Sequence, residues 1–331
     1  MPESSEVSRL TRRQFSAASL ISPPILSACA TGSDLETQSP EGMTLGFSTY
    51  GMKTLKTEHA LREIIRIGFD AVEITVWPDW DAAPARMSAD RRRQVRKQIT
   101  DGGLELSSLM EHVTPSRSTS GQTATIDRLN GVFDLAGDLA HKPPLVQTVL
   151  GGGKFDQEKE RIRDRVGAWT EAAAKKNITL AIKPHRGGVV SQPKEGVWIL
   201  DELGNPKNLK LVYDYSHYIF RDLSLSETLK EALPHIAHVA VKDAVEGGDR
   251  VVFQLPGSAG TIPFDQLLRK LSAGGYRGDI SCEVSGMVWS RKGYAPVHAA
   301  ETCYRNIDAA FTKAGVKRRR ANNAGPSPVS R

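Results

Sequence analysis

The most constraining feature of this sequence is a regular alternation of two hydrophobic periods between residues 44 and 314. Short runs rich in β-branched residues alternate with longer stretches in which apolar residues recur every three or four positions. This pattern predicts eight strands, each followed by a helix. We predict strands over 44–49, 71–77, 104–110, 145–150, 178–184, 209–214, 236–242 and 279–284. The predicted helices are 57–68, 88–101, 124–140, 156–176, 193–203, 226–233, 264–274 and 297–314.

Eight strand–helix units within about 270 residues favour a single-domain α/β fold, the (β/α)8 or TIM barrel. A doubly wound open sheet is the competing architecture. That fold usually has a glycine-rich phosphate loop after its first strand, whereas residues 48–52 read STYGM. The glycines at 151–153 follow the fourth strand without the Lys-Ser/Thr of a phosphate-binding loop, and therefore predict a flexible strand-to-helix connection.

Residues 1–29 have the pattern of an export signal. The TRRQF segment, with Arg12 and Arg13, resembles a twin-arginine motif, and the weakly apolar run after it is too short and too broken to span a membrane. The run ends in Leu-Ser-Ala-Cys29, which resembles a lipoprotein cleavage box with Cys29 as the acylated residue. Cleavage without a lipid, or a chance arginine pair in a disordered segment, are the alternatives. We expect export to the periplasm or cell envelope, with membrane contact only through Cys29.

The net charge of +6 does not indicate a nucleic-acid-binding protein, because the charge is concentrated at the two ends of the chain. Residues 315–331 carry five basic side chains and no acid, and residues 1–29 carry one further net positive charge. The neutral body between them lacks the basic surface that binds phosphate backbones. We predict a flexible tether over 30–42, a barrel over 43–314 and a basic disordered tail over 315–331.

Ionisable residues recur at the carboxyl ends of the predicted strands, where barrel enzymes build their active sites. Side chains alternate between the two faces of a strand. The apolar residues next to Glu283, Asp214 and Lys183 in their strands should therefore face the helices, while these three residues face inward. Buried charges of this kind are costly without a purpose. The candidate catalytic residues are Glu73, Lys183, His185, Asp214, His217, Lys242 and Glu283, where Glu73 is either a base or a partner for an inward cation. The candidate substrate-binding residues are Trp77, Trp80, Gln147 and Asp243.

Five short motifs resemble the sugar isomerase and epimerase superfamily with xylose isomerase-like barrels, which also has an endonuclease branch. They are GFDAVEI at 68–74, Asp214-x-x-His217, His238-x-x-x-Lys242-Asp243, PGSAGTI at 256–262 and GDISCEV at 278–284. The resemblance covers roughly residues 44–314 and implies a TIM barrel, a small sugar substrate and one divalent metal. Members hold that metal with a Glu, an Asp, a His and a Glu from strands five to eight. Asp214 and Glu283 match, whereas Lys183 and Ala240 stand at the other two positions.

A lysine at a ligand position leaves three interpretations open, because a protonated amine repels a hard cation. In the first, Lys183 forms a charge cluster with Asp214 and Glu283, and these groups act with His185 as acid and base without metal. In the second, Mn, Mg or Zn remains on Asp214 and Glu283 with His185 or His217. In the third, the site is degenerate and binds a saccharide on Trp77, Trp80 and Trp289.

The resemblance therefore implies an exported isomerase or epimerase that acts on a sugar or sugar acid by proton transfer next to a carbonyl. A lysine-dependent lyase or aldolase with a Schiff base on Lys183 is an alternative. A non-catalytic sugar-binding lipoprotein is another. An endonuclease is least favoured, given the neutral body and the two lost ligand positions, and no nucleic-acid partner is expected.

Overall fold

The computed structural model describes residues 41–248 and 250–320, so the predicted signal with Cys29 and most of the tether lie outside the described residues. Eight parallel strands close into a barrel. These strands are β1 Thr44–Ser48, β2 Ala71–Thr75, β3 Glu105–Met110, β4 Leu145–Thr148, β5 Leu180–Ile182, β6 Leu209–Tyr213, β7 Ile236–Val241 and β10 Asp279–Cys282. Their order around the barrel is β1-β10-β7-β6-β5-β4-β3-β2. The predicted (β/α)8 barrel is confirmed.

The helices of the described residues cover the outside of the barrel. They are α1 Thr57–Ile67, α2 Ala89–Asp101, α3 Thr119–Leu139, α4 Phe155–Ala174, α5 Pro193–Glu202, α6 Leu225–Ala232, α7 Phe264–Ala273, α8 Gly286–Trp289 and α9 Pro296–Ala314. Helix α3 begins five residues before its predicted start, because the Ser118 hydroxyl accepts the Gly121 amide and caps an extra turn. No helix in the described part of the chain is long and apolar enough to cross a membrane.

The predicted strand faces agree with the structure. Ile280, Cys282 and Val284 pack in the apolar layer between the strands and the helices, which leaves Glu283 inside the barrel. Ala181, Val212 and Ala240 form a separate small apolar layer. The large core therefore surrounds the strands, and the barrel axis is left to small and polar side chains.

A hairpin of β8 Asp243–Gly247 and β9 Arg250–Gln254 follows β7 and was not predicted from the sequence. It leaves the barrel at the carboxyl end, where the site residues lie. Its Phe253 ring has its centroid 5.3 Å from that of His217 and 5.2 Å from the Lys242 ammonium. The hairpin thus covers one side of the charged groups inside the barrel.

Residues 316–319, here called the C-terminal strap, pack against the amino end of the barrel. The Met43 amide donates to the Lys317 carbonyl at 3.3 Å, and the Arg319 amide donates to the Met43 carbonyl at 2.8 Å. The Arg318 guanidinium pairs with Asp70 and Asp308. The prediction of a disordered tail from residue 315 is therefore wrong for residues 316–319. Composition alone predicts that Arg318 is solvated, but two carboxylates, one buried and one half-buried, bind it.

Candidate active site

Four charged side chains meet inside the carboxyl end of the barrel, and we call Lys183, Lys242, Asp214 and Glu283 the two-lysine cluster. The Lys183 ammonium lies 2.6 Å from Glu283 Oε2 and 3.2 Å from Asp214 Oδ2. The Lys242 ammonium lies 2.8 Å from Glu283 Oε1 and also contacts Asp214 Oδ2. All four residues are buried. Two cations and two anions thus neutralise one another without solvent.

Mutual pairing keeps these groups charged despite burial. Burial raises the pKa of Asp214 and of Glu283, but the two lysines outweigh it and lower each pKa to about 2. Burial lowers the pKa of Lys183, and Glu283 and Asp214 outweigh it and raise that pKa above its ordinary value. An ammonium has three donors, and Lys183 uses one of them on Glu283 Oε2 while Asp214 Oδ2 lies 3.2 Å away. One proton of Lys183 is therefore left for a group in the cavity above.

A cavity of about 370 Å³ opens over the cluster and is within the size range of small-molecule sites. Lys183 and Glu283 form part of its wall, together with His185, Gln147, Trp77 and Tyr50. His185 Nδ1 lies 2.8 Å from the Arg186 carbonyl oxygen. Because a carbonyl only accepts, Nδ1 carries the proton and Nε2 keeps its lone pair. Burial, Lys242 and Lys183 lower the pKa of His185 to about 4, so the ring is neutral at pH 7.

His217 lies behind His185 and is fully buried, with the two ring centroids 3.9 Å apart. Its Nε2 lies 3.4 Å from Asp214 Oδ2. Burial, Lys242 and His185 lower the pKa of His217 well below its ordinary value. His217 does not line the cavity, and it packs against His185 and Asp214 instead.

Glu73 belongs to a buried pair beneath the cavity. Its Oε2 accepts from the Gln147 amide and lies 3.2 Å from His238 Nε2. Burial raises the pKa of Glu73, but His238 outweighs it and lowers that pKa, and Glu73 in turn raises the pKa of His238. Of the two predicted roles of Glu73, the structure favours the partner of an inward cation. Glu73 contacts Gln147, which lines the cavity, and substrate binding by Gln147 stays a prediction.

Trp77 and Trp80 have different environments. Trp77 lines the cavity beside Tyr50, with ring centroids 5.3 Å apart. Trp80 is buried, stacks on Tyr50 and contacts Trp77 edge-on, with the Lys53 ammonium 4.0 Å from its ring centroid. The prediction that Trp80 binds substrate is therefore wrong for this geometry, because Tyr50 and Lys53 cover its faces. Trp289 packs edge-on against the same Tyr50 and Trp80 rings and is not part of the cavity wall.

Asp243 also departs from its predicted role in substrate binding. Its buried carboxylate accepts the backbone amides of Ala244, Ala259, Gly260 and Ile262 at 2.9 to 3.3 Å. Four donors saturate the carboxylate, so it has no free lone pair directed at a ligand. Asp243 instead holds the loop at 256–262, the PGSAGTI motif, against the barrel mouth.

Tyr50 and Arg186 line the cavity but were not selected from the sequence. Burial and Glu283 raise the pKa of Tyr50 to about 12, so its hydroxyl stays protonated as a donor. Tyr50 follows β1 in a 3₁₀ turn, where the sequence carries no motif. Arg186 stands next to His185 in the motif that ends strand five and could have been noted there.

The family described as xylose isomerase-like TIM barrel matches residues 61–302. This chain belongs to that family. A crystal structure of 3-keto-D-glucoside 4-epimerase from E. coli superposes with a TM-score of 0.64 and 14% identity, covering 81% of this chain and 99% of that one. The likeness in structure shows the shared fold.

Two curated relatives are each called putative hydroxypyruvate isomerase. The human protein is 25% identical over 257 residues, which cover 68% of this chain and 84% of its own length. The mouse protein is 33% identical over 106 residues, which cover 30% of this chain and 36% of its own length. The match to the mouse protein thus spans only about a third of that relative. Both of these relatives are thus named as isomerases.

The donor set at this position does not fit a divalent metal. The IolI protein, which has the same fold at 17% identity and a TM-score of 0.66 over 82% of this chain and 98% of that one, was crystallised with zinc. Here two ammonium groups lie between the two carboxylates, and Ala240 offers no donor. Among residues 41–248 and 250–320, no three His, Cys, Asp or Glu side chains are grouped to hold a metal ion. The geometry favours the charge-cluster interpretation over the metal-bound one.

Proposed function

We propose that this protein is an isomerase or epimerase of a small sugar or sugar acid that moves a proton next to a carbonyl without a metal. The observation that carries the proposal is the position of Lys183 between Asp214 and Glu283, where the family holds a cation. The ammonium supplies positive charge at the place where a metal would polarise the substrate oxygen. Homologues named as isomerases support the reaction class.

In this mechanism the substrate carbonyl oxygen accepts a hydrogen bond from the remaining N–H group of Lys183. The neutral His185 Nε2 removes the proton from the adjacent carbon, and the ammonium stabilises the negative charge that develops on the oxygen. If His185 keeps that proton and a second acid or water delivers another to the opposite face of the carbon, the carbon is inverted, which is an epimerisation. Return of the proton to the neighbouring carbon, with transfer of the hydroxyl proton, moves the carbonyl and is an isomerisation. Trp77 and Tyr50 supply an aromatic wall for the sugar.

The Schiff-base alternative needs an unprotonated amine with a free lone pair. Two carboxylates contact Lys183 and favour its charged form, so the same geometry that suits an electrophile opposes a nucleophile. Borohydride treatment in the presence of substrate should therefore leave Lys183 unmodified. Covalent trapping on Lys183 would replace our proposal with a lyase or aldolase.

The direct test is exchange of carbon-bound hydrogen for deuterium in D₂O, followed by proton NMR over a panel of ketoses, aldoses and hydroxypyruvate. We expect exchange with at least one of them, undiminished by EDTA. His185→Ala should slow it by about 10²- to 10⁴-fold, the usual contribution of a general base. His112→Ala is the matched control, because His112 borders the same cavity beside Trp77.

An equal loss in both histidine variants would contradict the assignment of His185 as the base. Loss of exchange in EDTA, with recovery on addition of Mn²⁺, would contradict the metal-free mechanism. Lys183→Glu restores the ligand type of the family, and we expect it to bind Mn²⁺ or Mg²⁺ more tightly than the parent in isothermal titration calorimetry. Saturable sugar binding without any exchange would favour the non-catalytic sugar-binding protein.

We also propose export by the twin-arginine route and lipid anchoring on Cys29, supported by the TRRQF and Leu-Ser-Ala-Cys patterns alone. Changing Arg12 and Arg13 together to Lys should retain the protein in the cytoplasm. Cys29→Ser should leave it without acyl chains by mass spectrometry. Periplasmic protein from the arginine variant, or an acylated product from the serine variant, would contradict the corresponding step.

A further inference from the structure

Arg186 is a cavity-lining cation without a carboxylate partner in the described part of the chain. One terminal nitrogen donates to the Ile219 carbonyl, and the buried Nε has no hydrogen-bond partner. Burial and the neighbouring Arg221 lower the pKa of Arg186 below its ordinary value. Its environment thus removes water and adds a like charge, and both effects are unfavourable for a guanidinium.

Two other partly buried arginines of this protein show what pairing with acids does to a guanidinium. Arg91 contacts Glu58 and Asp81, and Arg318 contacts Asp70 and Asp308. These carboxylates raise the pKa of both guanidinium groups, against the effect of burial. An arginine that lacks such a partner and borders a cavity is arranged to receive an anion from outside the chain.

Among the charged residues of the cavity wall, Arg186 is the one whose charge is not compensated by an ion pair within the described residues. The wall carries four charged residues, Glu111, Lys183, Arg186 and Glu283. Glu111 is paired with Arg128, and Glu283 is paired with both lysines of the cluster. An anionic ligand therefore meets a compensated site plus one free positive charge.

The wall beside Arg186 is made of backbone. Gly151, Gly152, Gly187 and Gly188 line the cavity there, and Gly187 has a φ of +79°, which disfavours any residue with a side chain. A Cβ atom added at Gly187 would have no heavy atom within 4 Å, so the space in front of Gly187 is open. A bulky anionic group can thus approach Arg186 without displacing side chains.

We propose that Arg186 binds an anionic group of the substrate, a carboxylate or a phosphate ester, at one end of the cavity while Lys183 holds the carbonyl. The substrate class is accordingly a sugar acid or a sugar phosphate in preference to a neutral sugar. This inference rests on the proposed function for the role of Lys183, but its test measures binding and does not require turnover.

Three probes that share a ketone and an adjacent hydroxymethyl group separate the alternatives: dihydroxyacetone, hydroxypyruvate and dihydroxyacetone phosphate. None has a stereocentre, so the comparison does not depend on the configuration of the natural sugar. Dissociation constants for the full chain are measured by tryptophan fluorescence, since Trp77 borders the site. We expect one of the two anions to bind at least about tenfold more tightly than dihydroxyacetone, and its identity distinguishes carboxylate from phosphate.

Arg186→Gln should weaken binding of the preferred anion by about 10- to 100-fold and leave dihydroxyacetone nearly unchanged. Arg186→Lys, which keeps the charge without the fork, should fall between the two. Arg291→Gln is the control for long-range attraction, because Arg291 follows α8 at the same end of the barrel and is exposed. Circular dichroism melting verifies that each variant is folded.

Equal affinity of the parent for all three probes, or no binding of any of them, would overturn the anion site. So would an anion preference that survives in folded Arg186→Gln. An anion preference without deuterium exchange would leave the site intact and contradict the proposed function. Deuterium exchange without an anion preference would support the proposed function and contradict the anion site.

Discussion

Buried carboxylates at the two ends of the barrel can have opposite acidities, as Asp214 and Glu283 show when they are compared with Asp279. At the carboxyl end, Asp214 and Glu283 contact two lysines, and their pKa values are lowered to about 2. At the amino end, Asp279 is equally buried but accepts from the hydroxyls of Thr44 and Ser107 at 2.7 and 3.0 Å. Burial without a cation in contact raises the pKa of Asp279 to about 7. The partner, not the depth, decides the charge of a buried acid.

The cavities at the two ends of the barrel also differ in size and in the chemical groups that line them. A cavity at the amino end, lined in part by Asp279, His238 and Glu105, measures about 730 Å³ against 370 Å³ at the carboxyl end. The smaller cavity has the paired charges, the neutral imidazole and the aromatic wall. A site is therefore better identified by the groups that converge on it than by its size.

The largest effect is expected from breaking the two-lysine cluster. Lys183→Met leaves Asp214 and Glu283 with one cation between them and should lower the free energy of unfolding by about 3–5 kcal/mol, the usual cost of breaking a buried ion pair. Urea denaturation followed by circular dichroism measures it. Lys97→Met is the matched control, since Lys97 is a surface residue of α2 paired with Asp101. A cost below about 1 kcal/mol for Lys183→Met would mean that the carboxylates do not depend on it.

A smaller effect is expected from the amino end, where the C-terminal strap supplies the cation. Arg318→Gln leaves the buried Asp70 carboxylate without its arginine and should cost about 2–3 kcal/mol, the range for hydrogen bonds to charged groups. Lys317→Ala in the same strap should cost less than about 0.5 kcal/mol, because its bond to Glu41 is exposed. Similar values for both variants in urea denaturation would show that Arg318 is not the residue holding the strap.

A third effect concerns Asp279 and differs from the other two because it depends on pH. The unfolded chain loses the Asp279 proton near pH 4 and the folded chain near pH 7, so between these values the folded state binds more protons and loses stability as pH rises. Asp279→Asn removes this loss, at most about 1.4 kcal/mol per pH unit.

Unfolding free energies of the parent and of Asp279→Asn should therefore diverge from pH 5 to pH 7 in favour of the variant and run parallel above pH 8. A difference that does not change with pH would place the folded pKa of Asp279 near its unfolded value. Such a result would remove the contrast between the two ends.

The barrel was predictable because its signal is local. Strand and helix periods alternate along the chain, and the observed elements begin and end close to the predicted residues. The β8–β9 hairpin was not predictable, since the glycines and charged residues of 243–254 are typical of a loop. The strap was not predicted either, because a run of basic residues gives no sign of Asp70, the acid 248 residues away that pairs with Arg318.

Part of the site followed from the sequence for the same reason. Side-chain alternation turned Lys183, Asp214 and Glu283 inward, and the shared end of parallel strands brought them together. Asp243 and Trp80 were misassigned because their partners come from distant segments, the loop at 259–262 and the residues Tyr50 and Lys53. The pairing of Glu73 with His238 across the barrel is likewise a tertiary contact that spacing does not encode.

The strap also bears on how the barrel folds. Met43 pairs with residues 317–319, and β1 pairs with β10, so the ring of strands closes through contacts between residues more than 200 positions apart. Closing such loops costs chain entropy before any contact repays it, and folds of this kind are slow to complete. A ribosome must therefore release nearly the whole barrel before β1 finds its second neighbour. Until then Asp279 remains in water with the ordinary pKa of a carboxylic acid, and its contrast with Asp214 and Glu283 arises only at closure.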